Sequence, residues 1–268
     1  MNQEYCTDQV RRLDNDRYLC SLFAPEADRS GLFALAAFNI ELARIRETVS
    51  EPLLGMIRLQ WWRDALTTIL EGGDVPEHPV VQALAQTIGT TPLRVELLME
   101  MIDAREQDLD PPPPADLAVL EGYCAATSGA LAEAFLDVLR LEAQSARATA
   151  RQVGTAWGLC GLARAAPFHA RQGKSFLPGI GADSLPSTAV PRVVLDVLDL
   201  AQDLIQTARQ NRRDLPSAAL PVLLPAVLVD LYCRDLRNVG GDPFNSRLKQ
   251  RRVSRLVSVW GKSWRGRF

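Results

Sequence analysis

With 268 residues, 47 % hydrophobic and 23 % charged, the chain is long and apolar enough for a sizeable core and is no disordered or collagen-like polymer. A net charge of −2 provides no whole-chain field for nucleic acid, so none is expected as a partner. Five scattered cysteines (Cys6, Cys20, Cys124, Cys160, Cys233), never in a CxxC pair, argue against a disulfide framework or zinc knuckle and for a reducing compartment.

Leu (39) and Ala (33) dominate while Ile (8) and Tyr (4) are scarce, which favours helix over strand. The expected fold class is all-α, in a single domain spanning residues 1–268. The first twenty residues lack a basic-then-apolar order and a small-residue cleavage site, so no signal peptide is expected. The first helix of the chain-order reading runs from 28 to about 49, with Leu32, Leu35, Ala36, Asn39, Leu42 and Ala43 at helical spacing. Pro52 punctuates, and 53–70 is the next helix, closed by Gly72 and Gly73. Helices over 79–88 and 92–109 each begin near a proline. The four prolines at 111–114 form a connection with no helix.

Two long helices follow over 115–140 and 142–166, then a Gly, Pro and Ser-rich loop over 167–191. Helices over 192–209, 220–237 and 247 to about 260 complete a set of about nine, with no internal repeat. The longest apolar run, 218–229, holds Pro221 and Pro225 and is shorter than the roughly 20 residues a membrane span needs. A soluble or peripheral chain is expected.

Several chemistries lack their residues. The two histidines, His78 and His169, are about ninety positions apart, so no HExxH or local Cys/His metal cluster exists. No glycine-rich phosphate loop and no GxSxG are present. Asp196, Asp199 and Asp203 share one helix side, but they flank the expected core stripe Val193, Val197, Leu200, Ala201 and Leu204 and read as a solvated face. Asp103, Glu106 and Asp110 are similarly one-sided, with Arg105 beside them. From 243 to 268 there are eight Lys or Arg and no acid, with Val253, Leu256, Val257, Trp260 and Trp264 at helical intervals. Arg251, Arg252, Arg255, Trp260 and Trp264 therefore suit an anionic membrane surface or an acidic partner, or else form a core helix with a charged outer face.

The segment RSGLFALAAFNIELARIRETVSEPLLGMIRLQWWRDAL resembles the first active-site helix of the squalene/phytoene synthase family, and LARAAPFHARQGKSFLP resembles its second motif, RDxxEDxxxGRxYLP. Arg164 takes the arginine, Gly173 the glycine, Lys174 the second arginine and Phe176-Leu177-Pro178 the YLP, while EGYCAATSGAL is similar to the tyrosine helix between them. The resemblance implies an isoprenoid-synthase bundle of long helices around a central cavity. It implies apolar walls near Phe38, Leu42, Tyr123 and Leu159 and a basic mouth at Arg44, Arg164 and Lys174.

Where the family carries the metal-binding DDxxD, this chain reads Ala43, Arg44, Ile45, Arg46, Glu47, and the acids of the second motif become Ala165, Phe168 and His169. The expectation is a degenerate site with no catalytic residue and no metal, in which Arg44, Glu47, Tyr123, Arg164 and Lys174 remain to bind a ligand.

These segments also resemble one branch of the family, the mitochondrial complex I assembly factors (assembly factor six and its bacterial relatives). That resemblance implies respiratory complex I subunits or assembly intermediates as partners, with a prenyl lipid or prenyl diphosphate as a further ligand. The absence of a transit peptide at Met1 suggests a bacterial cytoplasmic form, and the C-terminal basic segment suggests peripheral contact at the inner membrane. The alternative is an active Mg²⁺-dependent prenyltransferase condensing two prenyl diphosphates head to head.

Overall fold

A computed structural model describes residues 2–109, 112–211, 215–250 and 268. Among these residues there are helices and turns but no strand, as the Leu and Ala content predicts. They group into two compact units, each assembled from separate stretches of chain.

The first unit comprises residues 1–110, 130–147 and 216–222. Its centre is α3, Glu26–Thr48, in which every residue from Gly31 to Ile40 is buried. A helix apolar on all sides needs neighbours all round. It packs on α1 (Asn2–Leu13), α4 (Pro52–Leu70), α5 (Pro79–Thr90), α6 (Val95–Arg105) and α8 (Ala130–Val138). Pro52 and Pro79 sit in the first turns of α4 and α5, where their missing N–H would have no helical partner.

Helix α1 and the short α2 (Asn15–Ser21) are absent from the sequence expectation. Helix α1 buries only Cys6, Gln9 and Val10, a stripe too narrow and polar to stand out from periodicity. Helix α2 is capped by Asp14, whose carboxylate accepts from the Arg17 N–H at 3.2 Å. Helix α6 is shorter than the expected 92–109. It starts at Val95 after the extended Arg94, whose N–H donates to Asp137 Oδ2 at 3.2 Å, and beyond Arg105 it tightens into a 3₁₀ turn, Glu106–Asp108.

The single helix expected over 115–140 is three pieces: α7 (Leu117–Cys124), a π-helical turn (Ala125–Gly129) and α8. Asp116 caps α7 by accepting from the Val119 N–H at 2.9 Å. Beyond α8 the backbone turns left-handed at Arg140 (φ 59°), whose side chain reaches Asp28 Oδ1 at 2.7 Å.

The second unit comprises residues 111–129, 148–215 and 223–268. It holds α7, the π turn, most of α9 (Gln144–Arg171), α10 (Val190–Gln210) and α12 (Pro225–Arg237). Helix α9 continues five residues past the expected end at 166, through Pro167. A proline this close to a helix end sacrifices one hydrogen bond without ending the helix. The loop expected over 167–191 is correspondingly shorter, because α10 also starts at Val190.

The buried face of α10 is Val190, Val194, Val197, Leu198, Ala201, Ile205 and Ala208, so the expected stripe was rotated by about one residue: Val193, Leu200 and Leu204 are only half-buried. The helix expected over 220–237 divides into α11 (Leu220–Leu223) and α12, because Pro225 supplies no N–H. The stretch 217–237 is long and apolar enough to cross a membrane by length and composition, with 61 % of its most apolar window buried. The expected helix from 247 to about 260 is described only in its first residues, a 3₁₀ turn over Ser246–Gln250. Arg251, Arg252, Arg255, Trp260 and Trp264 lie outside the described residues.

Candidate functional site

In the first unit, Glu41, Arg44, Ile45 and Thr48 fall within about 100° of arc on α3, and they face Arg58, Trp61 and Trp62 of α4. With His78 they enclose a cleft of about 290 Å³. Arg58 Nη1 donates to the Thr48 hydroxyl at 2.5 Å, which itself donates to the Ile45 carbonyl at 3.0 Å, so Arg58 is drawn against α3. Gln9 Nε2 donates to Glu41.

His78 meets Trp61 and Trp62 at ring-centroid distances of 5.5 and 5.3 Å, both edge to face, and Trp62 meets buried Phe38 at 5.2 Å. Burial pushes the His78 imidazole below its ordinary value, and the Glu41 carboxylate opposes that only in part. His78 Nδ1 is buried without a hydrogen-bond partner. The sequence gives little warning of this cleft: a lone histidine and a tryptophan pair carry no spacing that joins them.

Arg44 lines the cleft and is exposed, whereas Ala43 and Glu47 do not line it; Glu47 is exposed and Leu42 is buried in the core. Asp103 and Glu106, read as a one-sided acidic set, both bind Arg63, Asp103 at 2.7 Å and Glu106 at 2.5 Å, while Arg105 pairs with Asp108 at 3.0 Å. Asp110, the third member, lies outside the described residues.

In the second unit the sequence-derived residues fall into two groups. Tyr123 stacks on Phe176 at 5.7 Å, and the His169 ring meets the same Phe176 edge-on at 4.9 Å. Phe176 stands in the KSFLP segment and is buried, as is Leu159. The Lys174 N–H bonds the His169 carbonyl at 3.0 Å, so the segment folds back on the end of α9.

Arg164 belongs elsewhere. Its guanidinium carbon lies 3.4 Å from the centroid of the Tyr232 ring, in a pocket of about 380 Å³ with Phe168, Arg171 and Phe244 among its walls. Tyr123, Ala165, His169 and Lys174 do not line that pocket. Arg171, Tyr232 and Phe244 carried no signal in the sequence. Asp196 pairs with Arg192 at 3.0 Å and Asp199 with Arg237 at 2.5 Å, and Asp203 is exposed, as a solvated face requires.

The fold family implies Mg²⁺. Among the described residues no three of His, Cys, Asp and Glu gather into a group able to hold a metal ion. At the positions that would supply hard oxygen ligands stand Ala43, Arg44, Ala165, Phe168 and His169, and Arg44 shares its cleft with a second guanidinium. Mg²⁺ demands oxygen donors in near-octahedral array. This donor set does not fit it.

Residues 10–257 match the squalene/phytoene synthase family. The chain is 32 % identical to "NADH dehydrogenase (ubiquinone) complex I, assembly factor 6" of Bos taurus, over 98 % of this chain and 82 % of that one. The human protein of the same name is 30 % identical over 97 % and 81 %. Among solved structures, a squalene synthase from Alicyclobacillus acidocaldarius superposes with a TM-score of 0.78 at 19 % identity, covering 91 % of this chain and 95 % of the other. A dehydrosqualene synthase solved with a ligand superposes at 0.77 and 20 % identity, covering 97 % and 95 %. At those identities the likeness establishes the fold, an all-α isoprenoid-synthase type.

Proposed function

The chain belongs to the squalene/phytoene synthase family, and we propose that it is a non-catalytic member that assists assembly of a respiratory NADH:quinone oxidoreductase, complex I. One observation carries this reading. Two short motifs keep their surrounding residues while their acids are replaced by Ala43, Arg44, Ala165, Phe168 and His169. Losing ligands from both motifs removes the metal-borne stabilisation of a departing diphosphate, and among the described residues no other cluster of acids, histidines or cysteines could hold the metal instead. The two assembly-factor relatives that match nearly the whole chain support the direction of the proposal.

On this reading the protein works without Mg²⁺ or another cofactor, and its partners are complex I subunits or assembly intermediates. A prenyl lipid or prenyl diphosphate is a further ligand, for which the candidate contacts are Arg44 and Glu47 in the first unit and, separately, Tyr123, Arg164 and Lys174 in the second. The protein is cytoplasmic and peripheral at the inner membrane, docking through Arg251, Arg252, Arg255, Trp260 and Trp264.

Deleting the gene in its host tests the reading: assembled complex I and NADH:quinone activity should fall and return with the intact gene. Purified protein incubated with Mg²⁺ and radiolabelled farnesyl or geranylgeranyl diphosphate should yield no condensed product. Turnover at an enzymatic rate would overturn the proposal in favour of a head-to-head prenyltransferase.

A further inference from the structure

Eleven large apolar side chains are exposed among the described residues, and six of them belong to one helix, α4: Leu53, Leu54, Met56, Ile57, Trp61 and Leu70. A cluster of this kind differs from single apolar side chains scattered over a surface, which need no explanation. At 100° per residue, Leu53, Ile57, Trp61 and Leu54 occupy about 100° of arc, and Arg58 lies about 40° beyond Leu54. Leu53 and Ile57 are 67 % and 57 % exposed, so the side of the stripe away from the cleft faces outward most fully.

The stripe runs into the cleft of the first unit. Trp61 belongs to both, and Arg58 and Arg44 stand on the cleft walls. Arg44 makes no ion pair among the described residues, and Arg58 is held by a neutral hydroxyl. The one acid lining the cleft, Glu41, is occupied by Gln9, and Glu47 points about 110° away from the cleft side of α3. The buried Nδ1 of His78 has no partner within the protein.

We propose that α4 is a membrane-docking face: Leu53, Leu54, Ile57 and Trp61 enter the interfacial layer of an anionic leaflet, and the cleft beside them takes the phosphate of one lipid headgroup between Arg44 and Arg58. The charge complementarity selects this occupant. Guanidinium groups bind phosphate oxygens in bidentate geometry, and an amphipathic tryptophan prefers the headgroup level. Apolar side chains beside arginine suit an anionic interface, and exposed Asp64, on the same arc beyond Trp61, marks where the apolar stretch ends. This proposal goes beyond the assembly role and rests on other residues than the C-terminal basic segment.

The test uses the full-length chain and flotation with vesicles of phosphatidylcholine alone or mixed with phosphatidylglycerol. Leu53→Ser with Ile57→Ser should lower binding to the mixed vesicles roughly tenfold or more, and Arg44→Gln with Arg58→Gln should do the same. The arginine pair should leave the weak binding to phosphatidylcholine alone unchanged. Circular dichroism melts near the parent value keep the comparison valid, since all four side chains are outside the core. Repeating both pairs in a chain with Arg251→Glu, Arg252→Glu and Arg255→Glu separates the two surfaces.

Unchanged binding in either double variant overturns the proposal. So does a dimer, seen by analytical ultracentrifugation, that the Leu53 and Ile57 changes dissolve, because the stripe would then belong to a second copy. Complementation of complex I is a separate readout, so failure of the assembly role and failure of this surface are distinguishable.

Discussion

Arg94 Nε lies 2.9 Å from Asp137 Oδ2 across 43 residues of sequence, and the Asp137 side chain has no exposure at all. The same carboxylate accepts from Arg147 Nη1 at 2.8 Å, while Arg94 Nη2 also reaches Glu133 at 3.1 Å. A buried charge is tolerated only when paired and hydrogen-bonded, so this network pins α8 against the entry to α6.

Removing one partner leaves the others uncompensated. Asp137→Ala should cost about 2–3 kcal/mol, toward the lower end for a buried pair because Arg94 is 38 % exposed and recovers water. Arg192→Ala, which breaks a pair on a side chain 82 % exposed, should cost less than about 0.5 kcal/mol. Urea midpoints for the two variants measure the contrast.

Gly240 and Gly241 both hold left-handed backbone, φ 71° and 82°, but their surroundings differ. A Cβ at Gly241 would stand 2.5 Å from the Pro191 carbonyl oxygen, whereas nothing lies within 4 Å at Gly240. Gly240→Ala should therefore lose about 1 kcal/mol, the left-handed penalty alone. Gly241→Ala should lose more than about 2 kcal/mol, because backbone at the start of α10 must also move. Thermal denaturation of both, side by side, separates conformational strain from clash.

His78 prefers its neutral form in the folded chain, since burial lowers its pKa below 6.5. Below that pH the unfolded chain binds the proton first, so stability should be level above about pH 6.5 and fall as pH drops toward the folded-state value. Other groups also titrate in acid, so the informative quantity is the difference from His78→Gln. The gap in unfolding free energy between the two proteins should narrow as the pH is lowered from 7.5 to 5.5. A gap that widens would reverse the sign of the shift.

Arg164 rests on the face of Tyr232, a cation–π contact in which the guanidinium, weakly hydrated, does better than an ammonium. Arg164→Lys should lose about 0.5–1 kcal/mol, while Tyr232→Phe should lose less, since the ring survives. A double-mutant cycle read by chemical denaturation isolates the pair.

Much of the architecture was legible because proline and helical periodicity are local signals: Pro52 and Pro79 start helices, and Asp199 and Asp203 lie on an exposed face of α10. The failures have local causes too. Helix α1 buries one side chain in four, so packing against α3 and α5 defines it more than its own pattern does. Proline is a local stop signal, yet α9 tolerates Pro167 one turn from its end.

The motif LARAAPFHARQGKSFLP holds both His169 and Phe176, and the fold brings their rings into contact. The site was illegible where residues from separate segments converge. Nothing in the one-dimensional chain joins His78 to Trp62, or Arg164 to Tyr232.

All five cysteines are reduced and buried, with Cys6 and Cys20 in the first unit and Cys124, Cys160 and Cys233 in the second. Burial and nearby Glu41 push the Cys6 thiol up to about 11, and Cys233 is raised further by its hydrogen bond to Cys160. The native chain should therefore be nearly silent toward thiol reagents, which attack as the thiolate forms. Each thiol becomes a clock for the opening of its own neighbourhood. Mass-resolved alkylation at rising urea would show two labels appearing before three, three before two, or all five together, and so report whether the units open separately or as one.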